Sequence, residues 1–260
     1  MMNLPLVIFF RETFLLLGGV ALLFQDTCKQ MFRKGNSFHL LIEQLYHIGH
    51  RSLPLVITTA LCTGMVMTLQ FGLGLERFGG IMYVPRIVTV SILREMGPVF
   101  TGLMIAARIG AGIASEVGSM VVTQQIDAIR AMGTSPIQKI VIPRVLACLI
   151  AVPLLVGLAD FVGFIGALTI GSIELRLDPH FFILKSLNNL AIADYLSGFC
   201  KSFFFALFIS IPACYYGLNV QDGTKGVGIA TTKAVVTSAM LVLVGDFVLT
   251  KLFWVIEKWV

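Results

Sequence analysis

Charge is scarce in this chain. Only 13% of its 260 residues are Asp, Glu, Lys or Arg, about half the share found in an average soluble domain. With 57% hydrophobic residues and a mean hydropathy of +0.91, a water-soluble fold is excluded. The chain lacks GxxxxGK[ST], so it builds no phosphate loop of its own. It also lacks HExxH, GxSxG and any Cys/His metal cluster. His39, His47, His50 and His180 fall in polar connections, and His47 with His50 has no third ligand nearby. Cys28, Cys62, Cys148, Cys200 and Cys214 form no CxxC pair, are odd in number and mostly sit in apolar stretches. They read as small hydrophobes. Neither an internal repeat nor a low-complexity tract is present. The N-terminus lacks the basic segment of a cleavable signal, and Arg11-Glu12 interrupts the run Leu4 to Phe24. That predicts a helix lying at a membrane interface or an oblique anchor over residues 1–33.

What the chain does have is length in apolar runs. At about 20 apolar residues per crossing, 260 residues hold one domain of five or six spans. The expected spans are 53–75, 81–115, 145–173, 196–218 and 234–256. The fold class is therefore an all-α polytopic membrane protein, a single domain over 1–260. The second run is too long for a hydrocarbon core about 30 Å thick, and Gly97-Pro98 in its middle predicts a break or kink. Glu174 to Asp194 and the Gly-rich Asn219 to Lys233 read as connections. The net charge of +5 needs no nucleic acid. If the N-terminus is cytoplasmic, Lys29, Arg33, Lys34, Arg51, Arg130, Lys139, Arg144, Lys225 and Lys233 lie inside. Arg77, Arg176, Lys185, Lys201 and Lys258 then lie outside, the smaller group, as the positive-inside rule requires.

A polar island, residues 121–133, interrupts these runs. Ile126, Ile129 and Met132 recur at helical spacing, with Gln125, Asp127 and Arg130 on the other sides. Thr123 can cap the start, Gly133 can end it, and Pro136 forbids continuation. A small amphipathic helix between spans suits a partner, which suggests a transporter subunit driven by something else.

Three further patterns carry chemistry. Arg94 and Glu95 are adjacent ionisable residues inside a span, which is costly unless they face protein or a wet cavity. Neighbours on a helix point about 100° apart, so each needs its own partner. They suit either a polar clamp between helices or the lining of a substrate cavity. Gly102, Ala106, Gly110 and Ala114, extended by Gly118, make a strip of small residues with Arg108 and Glu116 on its flanks. Such a strip suits a seam between two copies or packing within one. Gly64 to Leu75, rich in Met, Phe and Gly, makes a deformable apolar wall suited to acyl chains or to plain packing. A stand-alone secondary transporter or channel would instead use Arg94, Glu95 and Arg108 as an ion path. Such folds often show matching broken helices in two halves, and only one break is visible here. A membrane scaffold held together by the small-residue strip is the third alternative.

Taken together, Leu93-Arg-Glu-Met-Gly-Pro98, Ala106-Ala-Arg-Ile-Gly-Ala111, Ala114-Ser-Glu-Val-Gly118, Gln125-Ile-Asp-Ala-Ile-Arg-Ala-Met-Gly133 and Val141-Ile-Pro-Arg144 resemble the MlaE/YrbE permease family. These are the membrane subunits of ABC transporters associated with MCE proteins. The resemblance extends from about Leu40 to the end, including Ala230-Thr-Thr-Lys233 and Gly245-Asp-Phe-Val-Leu-Thr250. It implies an N-terminal interfacial helix, about five spans and a homodimer in the inner membrane of a diderm bacterium. The island becomes a coupling helix that docks on a cytoplasmic ATPase through Gln125, Ile126, Asp127, Ile129, Arg130 and Met132. ATP is bound by that partner, so this chain is non-catalytic and needs no cofactor. The implied substrate is phospholipid moved between the inner and outer membranes, which maintains outer-membrane lipid asymmetry. A periplasmic MCE protein forms the conduit, and a small regulatory subunit can join. Arg94 and Glu95 match a charged pair in the family's lipid cavity, and Met67, Phe71, Leu75 and Phe78 match the wall against acyl chains. Lys233 stands where a close relative has Arg, keeping the charge and losing the bidentate fork. Gln124-Gln125 replaces a frequent Glu-Gln, so one charge toward the ATPase is missing.

Overall fold

The computed structural model describes residues 4–31, 38–188 and 190–259. It is helical, with no strand among the described residues. Among the described residues nine helices follow in order. They are α1 Leu4–Met31, α2 Phe38–Ile48, α3 Leu53–Glu76, α4 Ile81–Val122, α5 Gln125–Ala131, α6 Ile137–Ile173, α7 Pro179–Leu187, α8 Ile192–Leu218 and α9 Gly223–Trp259. Five of them, α3 with its α2 lead-in, α4, α6, α8 and α9, are long and apolar enough to cross a membrane, and α1 is not among these.

The helices overrun the expected spans. α4 reaches Val122 rather than 115, α6 starts at Ile137 rather than 145, and α9 starts at Gly223 rather than 234. The expected Gly-rich loop shrinks to residues 219–222, where Asp222 and Gly223 turn the chain at positive φ. The polar stretch after residue 25 is largely helical, since α1 runs to Met31 and α2 occupies Phe38–Ile48. Polar residues do not stop a helix when one face is covered. Thr27 is buried, and Ser135 donates to the Gln30 side chain at 2.7 Å. The connection after α6 also folds. Asp178 caps α7 by accepting from the Phe181 amide at 3.0 Å, and Phe182 is fully buried.

No break occurs at Gly97-Pro98. α4 passes through it by widening into a π turn over Ile92–Met96, and a second π turn spans Ala106–Gly110. The wide turn gives Gly97 a hydrogen bond to the Ile92 carbonyl. Pro98 has no N–H to donate, which leaves the carbonyls of Leu93 and Arg94 without their helical partners. α8 answers one of them: Lys201 Nζ donates to the Arg94 carbonyl at 3.1 Å, while Gly198 lets the α8 backbone pass close to the Leu93 carbonyl.

Small residues set the other contacts. Gly64 and Gly166 bring α3 and α6 together, each facing a backbone carbonyl of the other helix. The strip on α4 packs inside the subunit. Gly102 faces Phe205 and Val242, Ala106 and Ala114 are fully buried, Gly110 lies beside Ile209 and Ser238, and Gly118 meets Val220 and Val227.

Candidate functional site

The most polar region inside the spans is built around Lys201. Its side chain is 1% exposed. Nζ reaches Glu95 Oε2 at 2.8 Å, Asp246 Oδ1 at 3.0 Å and Thr250 Oγ1 at 2.7 Å, besides the Arg94 carbonyl. Arg94 points away from Glu95, as adjacent helical positions must. Its guanidinium meets Asp194 at 3.1 Å and Glu257 at 2.6 Å. Asp194 also accepts from the Ala191 amide, so the start of α8 holds it in place. The two residues of α4 thus have separate partners on α8 and α9. The cluster is half-open, with Arg94, Glu95 and Glu257 partly exposed along its rim.

A second polar region lies at the other end of the bundle, around α5. This two-turn helix follows Gln124, whose φ of 59° turns the chain out of α4. Thr123 does not cap it, because its hydroxyl donates back to the Ser119 carbonyl at 2.8 Å. Gly133, at φ 71°, ends it and donates to the Arg130 carbonyl. The apolar side does not face outward as a unit. Ile126 is 3% exposed and belongs to the main core, Ile129 packs against that core, and Met132 is 70% exposed. Gln125, Asp127 and Arg130 are exposed, with Arg130 Nη1 on Asp127 at 3.1 Å. Ile126 thus roots the helix in the core, and Met132 is the outward member of the stripe. Beside α5, between α2, α4 and α6, lies a cavity of about 770 Å³. Arg144, buried there, bonds Glu116 at 3.1 Å and the Ile140 carbonyl.

A family model, "Permease MlaE", matches residues 41–252. The chain belongs to the MlaE permease family. It is 40% identical over 215 residues to a "Probable ABC transporter permease protein" of Rickettsia felis, covering 83% of each. It is 35% identical over 246 residues to "Probable ABC transporter permease protein slr1045" of Synechocystis, covering 91% of this chain and 94% of the relative. "Protein TRIGALACTOSYLDIACYLGLYCEROL 1, chloroplastic" of Arabidopsis thaliana is 32% identical over 213 residues, 82% of this chain and 61% of that protein.

In this MlaE permease the residues expected at one lipid site do not all meet. Arg94 and Glu95 share the Lys201 cluster. Lys233 lies on α9 about 26 Å along the axis from Thr250, at 1.5 Å per residue. It is exposed and lines a separate cavity of about 390 Å³ with Tyr215 and Tyr216. No single headgroup touches both. Met67, Phe71 and Leu75 share one face of α3 and are partly buried against Val84, Val88, Ile92 and Phe182. Phe78 lies past the helix end and is 84% exposed. Arg108 lies about 21 Å along α4 from Arg94, at 1.5 Å per residue, and donates to the Ser52 hydroxyl at the root of α3.

Besides Asp194 and Glu257, three ionisable groups escaped the sequence reading of the permease. Lys201, counted there among the outside connections, is buried in α8, and Asp246 is its partner. The signal was available, since each is a single charge inside an apolar run. Asp160 is the third. It is buried in α6 with Oδ1 against Gly97, and neither carboxylate oxygen has a hydrogen-bond partner among the described residues. An unmet buried acceptor costs about 1–3 kcal/mol. Asp160→Leu is therefore expected to raise the thermal midpoint in detergent, by the equivalent of about 1 kcal/mol after repacking strain. A lower midpoint would mean that Asp160 has a partner in the assembled transporter.

Proposed function

We propose that this permease is the transmembrane subunit of an ABC transporter that moves phospholipids between the inner and outer membranes of a diderm bacterium. Its role is then to help maintain outer-membrane lipid asymmetry. The observation that carries the reading is α5, which displays Asp127, Arg130 and Met132 to solvent while Ile126 roots it in the core. A short helix built this way accepts a push from outside and passes it to the spans. The chain has no phosphate loop, so the push comes from a separate cytoplasmic ATPase. The names of the Rickettsia and Synechocystis relatives, which call them ABC transporter permeases, support this. The name of the Arabidopsis relative contains that of a glycolipid, which supports a lipid cargo.

With α5 in the cytoplasm, the Lys201 cluster lies in the periplasmic half of the membrane. Its half-open rim suits the polar head of a lipid, with acyl chains against the α3 face and the exposed Phe78. A periplasmic MCE protein would receive the lipid from that side. The working unit is a homodimer. The small-residue strip is spent inside the subunit, so the second copy uses another face.

The test is Met132→Asp combined with Arg130→Glu. Both side chains are exposed, so the thermal midpoint of the permease should stay within the range of ordinary surface substitutions, about 0.5 kcal/mol. Copurification of the ATPase should fall at least tenfold, since charge inserted at the centre of an interface costs about 2 kcal/mol or more. A complex that survives intact and active would remove α5 from the docking surface.

A further inference from the structure

The Lys201 cluster holds unequal charge. Four carboxylates, Glu95, Asp194, Asp246 and Glu257, face two cations, Arg94 and Lys201. Both cations are already engaged. Arg94 spans two carboxylates through Nη1 and Nη2, and Lys201 directs its donors to Glu95, Asp246, Thr250 and the Arg94 carbonyl. The nearby lysines of α9 turn elsewhere. Lys251 Nζ lies 4.5 Å and Lys258 Nζ 5.4 Å from the centroid of the Trp254 ring. A group entering from the open side therefore meets acid. Glu257 has 45% of its side chain exposed and Glu95 32%, whereas Lys201 is sealed behind them. A purely anionic headgroup would have to take Arg94 from a carboxylate and would sit beside the remaining acids. A headgroup with an ammonium brings the missing positive charge to the rim carboxylates Glu95 and Glu257.

We propose that the cluster selects an aminophospholipid over a phospholipid whose head is only anionic, with Glu95 and Glu257 setting the preference. The inference rests on the lipid-transport reading above and names the cargo within it. The full chain is expressed in a bacterial membrane containing both phosphatidylethanolamine and phosphatidylglycerol and is purified with its partners in mild detergent. Bound lipid is counted by mass spectrometry against the bulk membrane. Phosphatidylethanolamine should be enriched about fivefold, the value of one partly exposed charge pair. Glu257→Gln should erase most of that enrichment. Its position on the rim keeps the fold intact, and it supplies the decisive reading if Glu95→Gln disturbs Lys201. A bulk lipid ratio in the native protein, an excess of phosphatidylglycerol, or an enrichment unmoved by Glu257→Gln overturns the proposal. Bound phospholipid at the bulk ratio removes this inference alone, whereas no bound phospholipid removes the transport reading with it.

Discussion

Replacing Lys201 with Met is expected to weaken the transmembrane bundle by about 3 kcal/mol, the low end for removing one partner of a buried ion pair. The low end applies because Glu95 keeps about a third of its side chain open and can be solvated there. Four groups lose a partner at once. Glu95 and Asp246 lose their shared cation, the Thr250 hydroxyl loses a donor, and the Arg94 carbonyl loses the donor that Pro98 cannot supply. Thermal unfolding in detergent reads the loss directly. Lys201→Met combined with Glu95→Gln and Asp246→Asn should recover part of it, because the stranded charges are then gone. The carbonyl remains orphaned, so recovery should stay incomplete. A native midpoint in the single variant would show that these carboxylates find another cation.

Ile126→Ala is expected to separate hydrolysis from transport. The truncation removes a core side chain and should cost about 2–3 kcal/mol, within the range for buried Ile to Ala. The exposed face of α5 stays as it was, so the ATPase should still copurify and hydrolyse ATP. The root of the helix is loosened, however, and force applied at Met132 should no longer reach α4 and α6 in full. Lipid moved per ATP should fall severalfold while ATP turnover remains near native. An unchanged ratio would mean that α5 transmits through its ends rather than through its buried side chain. Met132→Asp supplies the contrast, because it strikes the outer face and leaves the root alone.

Much of this architecture could be read from residue order. Apolar runs located five spans, and Gly133 located the end of α5 through its need for positive φ. Periodicity also identified the apolar stripe on α5. It could not say what the stripe faces, because a helix covering its own core and a helix covering a partner have the same spacing. Ile126 went inward and Met132 outward for a reason set by tertiary packing. Helices run past the expected spans for a related reason. Residues 219–233 look like a loop by composition, yet Gly226 is accepted in α9 because the start of that helix closes tightly on Gln221. Arg94 and Glu95 announced that each needs a partner, and each has one. Which residues those are depends on α8 and α9 lying beside α4, a relation no local pattern encodes. Lys233 stands apart from Arg94 because a continuous α9 carries it well away from Asp246, Thr250 and Glu257, the residues of that helix that reach the Lys201 cluster.

The wide turn before Pro98 makes one position depend on another. Proline removes an amide from α4, and an ammonium from α8 answers the carbonyl left behind. Losing the ring alone restores an amide and leaves Lys201 its other three acceptors, whereas losing the amine alone strands the carbonyl together with Glu95 and Asp246. The dependence therefore runs one way: the ring is tolerable only while the amine stays.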